Sequence, residues 1–231
     1  MNSNDKIPFH RAVAAMVWKD LTLERHTRQT LSLMFLYALT VTIMFNFALE
    51  TKLDAARNVA TGLLWATIVL SGTLGLNRAM SLDRENNSLD AILMAPIDRQ
   101  AIYVAKVLSI TLFTLTIEAI LVFVFIVFFN KPFWRPSVIL ILILGTIGYI
   151  SVGVLVTALT YHTRGRDVLL PVLLLPLSLP LLLPASMAVA GFVSTPPATW
   201  TEVQTAVSLV ILYDIVMITL GLTTYRYTIE V

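Results

Sequence analysis

Residues 107–129 read VLSITLFTLTIEAILVFVFIVFF, a run with seventeen Leu, Ile, Val or Phe residues and one charge, at Glu118. A helix needs about 20 mainly apolar residues to cross the hydrocarbon core of a bilayer, and this run has that length. On an insertion scale a central acid costs about 2.5–3.5 kcal/mol, while each Leu, Ile, Phe or Val returns roughly 0.3–0.6 kcal/mol. The segment therefore inserts despite Glu118. Five similar blocks accompany it: Leu31–Leu49, Val59–Asn77, Val138–Thr160, Val168–Val193 and Ala206–Thr224. The expected fold class is an all-α membrane protein with six transmembrane helices.

Bulk chemistry agrees. Charged residues make up 13% of the 231-residue chain and hydrophobic residues 57%, against roughly 25% charged in soluble domains. The chain has no cysteine, which excludes disulfides, thiol catalysis, Cys-ligated zinc and covalent haem attachment through Cys-x-x-Cys-His. A formal charge of +2 is too small to argue for a nucleic-acid partner. The N-terminal stretch is charged from Asp5 to Arg28 and does not read as a cleaved signal peptide.

Orientation follows from the basic residues between the blocks. The N-terminal segment, the second and fourth connections and the tail together carry twelve Lys and Arg, and the other three connections carry four. Positive charge collects on the cytoplasmic side, so both termini are expected there, in a multi-pass membrane protein.

Residues 8–28 place Phe9, Val13, Met16, Val17 and Leu21 on one helical face, the pattern of an interfacial helix on the lipid bilayer. Asp20 and Glu24 fall on the same stripe and interrupt it. Asp20, Glu24 and Arg28 recur every four residues, a spacing that supports a helix locally. The connection over 78–100 is the longest on the cytoplasmic side. Within it Ser88 is a plausible N-cap, Leu89, Ile92 and Leu93 form a short apolar stripe, and Pro96 ends the turn. A short amphipathic helix outside the membrane needs a surface to pack on, either headgroups or another protein.

Two acids lie mid-span, Glu118 and Asp214. Such acids face the protein interior or a wet cavity and count as functional candidates; the competing reading is a neutral carboxyl hydrogen-bonded to a neighbouring helix. The fifth block contains Pro171, Pro176, Pro180 and Pro184, the last three on one helical face. Each proline removes an amide donor, and lipid cannot satisfy the freed carbonyls of Val172, Pro176 and Pro180. A hinge or pathway lining is one reading and a packing kink the other. The block is overlong and proline-rich, which suits a shorter span followed by something else. No catalytic residue or metal site is read. The chain has no P-loop, and His10, His26 and His162 are not spaced as ligands. Gly145, Gly148 and Gly153 suit close helix packing.

The order of parts resembles the membrane subunits of ABC-2-type ATP-binding-cassette exporters and, more narrowly, the CcmB family of haem exporter permeases in cytochrome c maturation. The residues carrying the resemblance are Trp18-Lys19-Asp20-Leu21 with Glu24 and Arg28, Gly62-Leu63-Leu64-Trp65, Arg84-Glu85, Ser88-Leu89, Leu93, Ala95-Pro96-Ile97, Lys106, Gly145-x-x-Gly148 and the proline run from Leu169 to Pro180. Asn87 stands where a glycine is expected. The resemblance implies a single ABC-2-type transmembrane domain over 1–231 in the bacterial inner membrane, with spans near 31–49, 59–77, 107–129, 138–160, 168–184 and 206–224 and a re-entrant element over 185–205. It also implies that this subunit hydrolyses nothing itself. ATP would act through a separate CcmA-like ATPase seated on a coupling loop containing Arg84, Glu85, Ser88, Leu89, Leu93 and Pro96. Haem would be the substrate, moved directly or released on a chaperone, and the membrane partner a second copy of the chain or a CcmC-like haem-handling protein. The competing functions are an ABC-2 permease for another hydrophobic substrate, such as a lipid or drug, and an ATP-independent transporter working through Glu118 and Asp214.

Overall fold

The computed structural model describes residues 7–49, 53–85, 97–160, 163 and 166–228. Among these residues the chain forms seven helices: α1 Phe9–Thr27, α2 Gln29–Leu49, α3 Leu53–Glu85, α4 Arg99–Phe129, α5 Pro136–Leu159, α6 Arg166–Val193 and α7 Trp200–Thr228. Helices α2 to α7 are each long and apolar enough to cross a membrane, in agreement with the six expected spans.

Two helices form the centre. Within their membrane-crossing windows 67% of α3 and 72% of α5 is buried, against 17% of α2 and 28% of α7. Helix α5 packs on α3, α4, α6 and α7, and α3 packs on α2, α4, α5 and α6. Lipid tails offer no hydrophobic gain to helix association, so close backbone approach has to provide the contact. The glycines of α5 permit it. A Cβ on Gly145 would lie 2.2 Å from the Trp65 ring, and one on Gly153 would lie 2.4 Å from Leu76 Cδ1, both on α3. Polar side chains cross-link the same layer. The Tyr149 hydroxyl lies 2.6 Å from Thr73 Oγ1 and donates to the Val69 carbonyl at 2.9 Å. The Tyr103 hydroxyl of α4 donates to the Ser151 carbonyl of α5 at 3.1 Å.

The helix ends have local causes. Asp98 caps α4 by accepting from the Gln100 amide at 3.1 Å. Asn130 closes the same helix in the left-handed region at φ 49°, a conformation Asn tolerates better than most residues. Before α7, the Glu202 carboxylate reaches back to the Thr199 amide at 2.6 Å, half of a capping box.

Two boundaries differ from the sequence expectation. Helix α3 has 33 residues and α4 has 31, about 50 Å and 46 Å at 1.5 Å per residue, whereas the hydrocarbon core is about 30 Å. The connection expected over 78–100 is thus helical at both ends, to Glu85 and from Arg99. The fifth span does not end at 184. Helix α6 continues through all four prolines to Val193, and residues 194–199 connect it directly to α7, with no separate re-entrant helix. The helix persists past Pro184 because its packing does: Pro184, Ala185, Ala188, Val189, Phe192 and Val193 are all buried.

The glycine contacts give a paired prediction. Gly145→Ala must displace the buried Trp65 ring, at a cost of about 1–3 kcal/mol for an overpacked core, and should lower the melting temperature in detergent. Gly62→Ala meets nothing within 4 Å and gains up to about 1 kcal/mol of helix propensity, so its melting temperature should hold or rise.

Candidate functional site

The two acids that interrupt the apolar stripe of α1 build the site. Ala12, Val13, Met16, Asp20 and Glu24 are the buried residues of α1, on a helix that packs mainly against α4. Trp18, on the opposite face, is 67% exposed. The sequence spacing suggested a local Asp20, Glu24, Arg28 array; instead each acid serves a different helix. Glu24 accepts from the Leu31 amide at 2.8 Å and the Thr30 amide at 3.3 Å. Those amides open α2 and lack intrahelical acceptors. Arg28 sits between the two helices at φ 51°, its amide bonded to the Glu24 carbonyl at 2.7 Å. Glu24 therefore holds the corner between α1 and α2.

Asp20 enters an ion cluster. Lys106 Nζ of α4 lies 2.9 Å from Asp20 Oδ2 and 2.6 Å from Asp83 Oδ2 of α3. Lys19 Nζ closes the ring from the wetter side, 3.2 Å from Asp20 Oδ1 and 3.4 Å from Asp83 Oδ1. The side chains of Lys106, Asp20 and Asp83 are 6%, 9% and 5% exposed, and that of Lys19 is 37% exposed. Burying a charge is expensive unless it is paired. Among the described side chains two cations meet two carboxylates, so their charges balance.

Its position gives it significance. Asp83 lies two residues before the end of α3, and Lys106 lies two turns into α4. The cluster therefore grips both helices that flank the connection over 86–98 and ties them to α1. Sequence reading had counted Lys106 as a topological charge and Asp20 as an interruption of the stripe, and both as residues of the family resemblance, without pairing them. An acid on the apolar stripe of an otherwise amphipathic helix was the signal for a buried cation elsewhere. Of the residues read as the coupling loop, Arg84 and Glu85 belong to the last turn of α3 by backbone. Ser88, Leu89, Leu93 and Pro96 lie outside the described residues, as do the side chains of Arg84 and Glu85.

The intramembrane acids are both buried, Glu118 at 3% and Asp214 at 6% exposure. Thr146 Oγ1 of α5 donates to Glu118 Oε2 at 2.7 Å. Asp214 of α7 fits against Gly148, where an added Cβ would lie 2.0 Å from Asp214 Oδ1. Positions 146 and 148 are two residues apart on α5, so they point to nearly opposite sides of that helix. The two acids approach one turn of α5 from different sides and share no hydrogen bond.

The prolines divide. Pro184 is buried and Pro171 half-buried, while Pro176 and Pro180 face outward from the chain. On the same helix the Tyr213 hydroxyl donates to the Leu177 carbonyl at 2.8 Å, and Ser178 Oγ donates to the Leu175 carbonyl at 2.9 Å. The start of α5 and the end of α6 are joined by Arg135, whose guanidinium donates to the Phe192 carbonyl. Trp134 and Trp200, 63% and 49% exposed, occupy positions suited to an interfacial aromatic belt. His26 bonds locally to the Thr22 carbonyl at 2.8 Å, and His162 lies outside the described residues.

The ion cluster makes a separable prediction. Lys106→Met removes the most buried cation shared by Asp20 and Asp83 and should cost about 3–5 kcal/mol, as breaking a buried pair does. Adding Asp20→Asn and Asp83→Asn to Lys106→Met should recover most of that loss. Thermal unfolding of the purified variants checks it; equal melting temperatures for wild type and Lys106→Met would refute a buried ionic anchor.

Comparison with known proteins gives the arrangement a family. The family model described as "CcmB protein" matches residues 11–227. The "Heme exporter protein B" of Paracoccus denitrificans is 30% identical over 176 residues, covering 76% of this chain and 81% of that protein. Its namesake in Rhodobacter capsulatus is 29% identical over 172 residues, covering 73% and 78%. The Escherichia coli K12 protein of the same name is 27% identical over 181 residues, covering 75% and 81%. The family match takes in α1 with its two buried acids, all six long helices and the connection between α3 and α4: this chain belongs to the CcmB family.

Proposed function

We infer that the chain is the permease subunit of an ATP-binding-cassette haem exporter acting in c-type cytochrome biogenesis. The match to the CcmB family over nearly the whole chain is the observation that carries this reading, and the relatives' shared name supports it. The chain supplies the membrane path and no hydrolytic chemistry. ATP is hydrolysed by a separate CcmA-like ATPase, which seats on the loop containing Arg84, Glu85, Ser88, Leu89, Leu93 and Pro96. Twelve of the sixteen basic residues fall on the N-terminal side of the membrane. That excess favours cytoplasmic termini in the inner membrane, with α1 on the inner leaflet and the loop facing the ATPase.

The buried cluster of Lys106, Asp20 and Asp83 supports a mechanism. A displacement imposed on the 86–98 connection reaches α3 and α4 at residues that α1 already holds. The three segments would then move as one block, tilting the long helices that continue into the membrane. The outward face of α6 around Pro176 and Pro180 supports a membrane partner, either a second copy or a CcmC-like protein. Carbonyls that lose their amide partner to proline are costly against lipid, and a neighbouring protein removes that cost. Glu118, bonded to Thr146, and Asp214, packed on Gly148, are held on different sides of α5 and suit local packing better than a shared ion path.

The loop assignment has a direct test. The full chain should co-purify with its ATPase subunit, and Leu93→Arg should reduce that association at least tenfold while leaving the melting temperature of the chain unchanged. Cytochrome c maturation in cells carrying that variant should fall with it. Undiminished association after disruption of the loop would count against the assignment.

A further inference from the structure

A groove lies beside the α1–α2 corner that Glu24 holds. It is a cavity of about 900 Å³ between α1, α2 and α4, within the 300–1,000 Å³ range of ligand sites. Phe35 of α2 and Phe113, Ile117 and Ile120 of α4 line its walls, and Arg25 and Arg28 line its rim at the corner between α1 and α2. The α4 wall runs from Leu112 to Ile120, about 12 Å along the helix axis. Ile120 is 41% exposed, so the slot opens sideways, where the bilayer would lie.

The charges at the rim are uncompensated. Arg25 and Arg28 are both exposed, and neither side chain forms an ion pair among the described residues. Glu24, the one acid lining the groove, has both oxygens committed to the Thr30 and Leu31 amides. It therefore offers neither arginine a free carboxylate. Two guanidiniums at headgroup level above an apolar slot form a surface for a molecule with an anionic head and a hydrocarbon tail. Guanidinium groups suit phosphate in particular, because their planar fork can donate two bonds to it. Basic sites between transmembrane helices at the inner surface recognise acidic lipid headgroups by this chemistry.

We propose that this groove is a binding site for an anionic phospholipid, with the phosphate at Arg25 and Arg28 and one acyl chain along α4 from Leu112 to Ile120. The site is independent of the haem and ATPase reading, since it needs only the bilayer on the α1 side. Its occupant would lie beside the corner that Glu24 holds.

The test uses the full chain in nanodiscs of phosphatidylcholine with and without phosphatidylglycerol, followed by native mass spectrometry of retained lipid. Phosphatidylglycerol should be retained in preference to phosphatidylcholine. The double variant Arg25→Gln/Arg28→Gln should lower that preference at least about fivefold with an unchanged melting temperature, since both side chains are exposed. Ile120→Trp, which fills the slot and leaves the rim intact, should also release the lipid. Equal retention of the two lipids by the wild type, or preference undiminished in the arginine variant, would overturn the proposal. So would a tetrapyrrole retained through the same arginines without lipid preference, because the groove would then take a different amphiphile.

Discussion

Lys106 is a cation held away from water by two carboxylates that come from different helices. That constraint organises the end of the bundle where α1 lies. An ammonium that is 6% exposed requires Asp20 and Asp83 to stay within reach, which requires α1 to lie across the start of α4 and the end of α3. Glu24, one turn further along α1, then fixes where α2 can begin. One stripe of α1 thus sets the positions of three long helices, through one ion cluster and one amide cap.

The membrane-embedded part is held by a different principle. There α5 and α3 touch through glycines and aromatic rings, with Tyr149 and Thr73 exchanging a hydrogen bond across the contact. The two regions complement each other mechanically. Small-residue packing in the middle gives close contacts without strong ionic ties, whereas the α1 end is bound by charge. A bundle of this kind can be tilted from its bound end, as a permease driven by an external ATPase requires. The outward proline face of α6 adds a surface that lipid alone covers poorly, which fits a protein that works within an assembly.

Much of this was legible in the sequence. Six long apolar blocks forecast six membrane-crossing helices because insertion depends on summed hydropathy, which needs no tertiary information. The spacing of Phe9, Val13 and Met16 forecast α1. The purpose of Asp20 and Glu24 was not legible, because their partners are 86 and about seven residues away and only the fold unites them. Pro184 misled the reading of α6, since proline propensity speaks for an isolated helix and the buried run from Ala185 to Val193 speaks for the packed one. The contacts of Glu118 and Asp214 depend on the rotation of α5, which a mid-span acid alone does not reveal.

The central claim is that α1, the end of α3 and the start of α4 move as one block when the ATPase closes. The chain has no cysteine, so pairs of spin labels can be placed cleanly at Ala15 and Ser81, within the block, and at Ser81 and Thr223, across to α7. Pulsed electron–electron resonance on the reconstituted complex, with and without a non-hydrolysable ATP analogue, reads both distances. The account predicts an unchanged Ala15–Ser81 distance and a shifted Ser81–Thr223 distance. Separation of Ala15 from Ser81 on nucleotide binding, with Ser81–Thr223 constant, would contradict it.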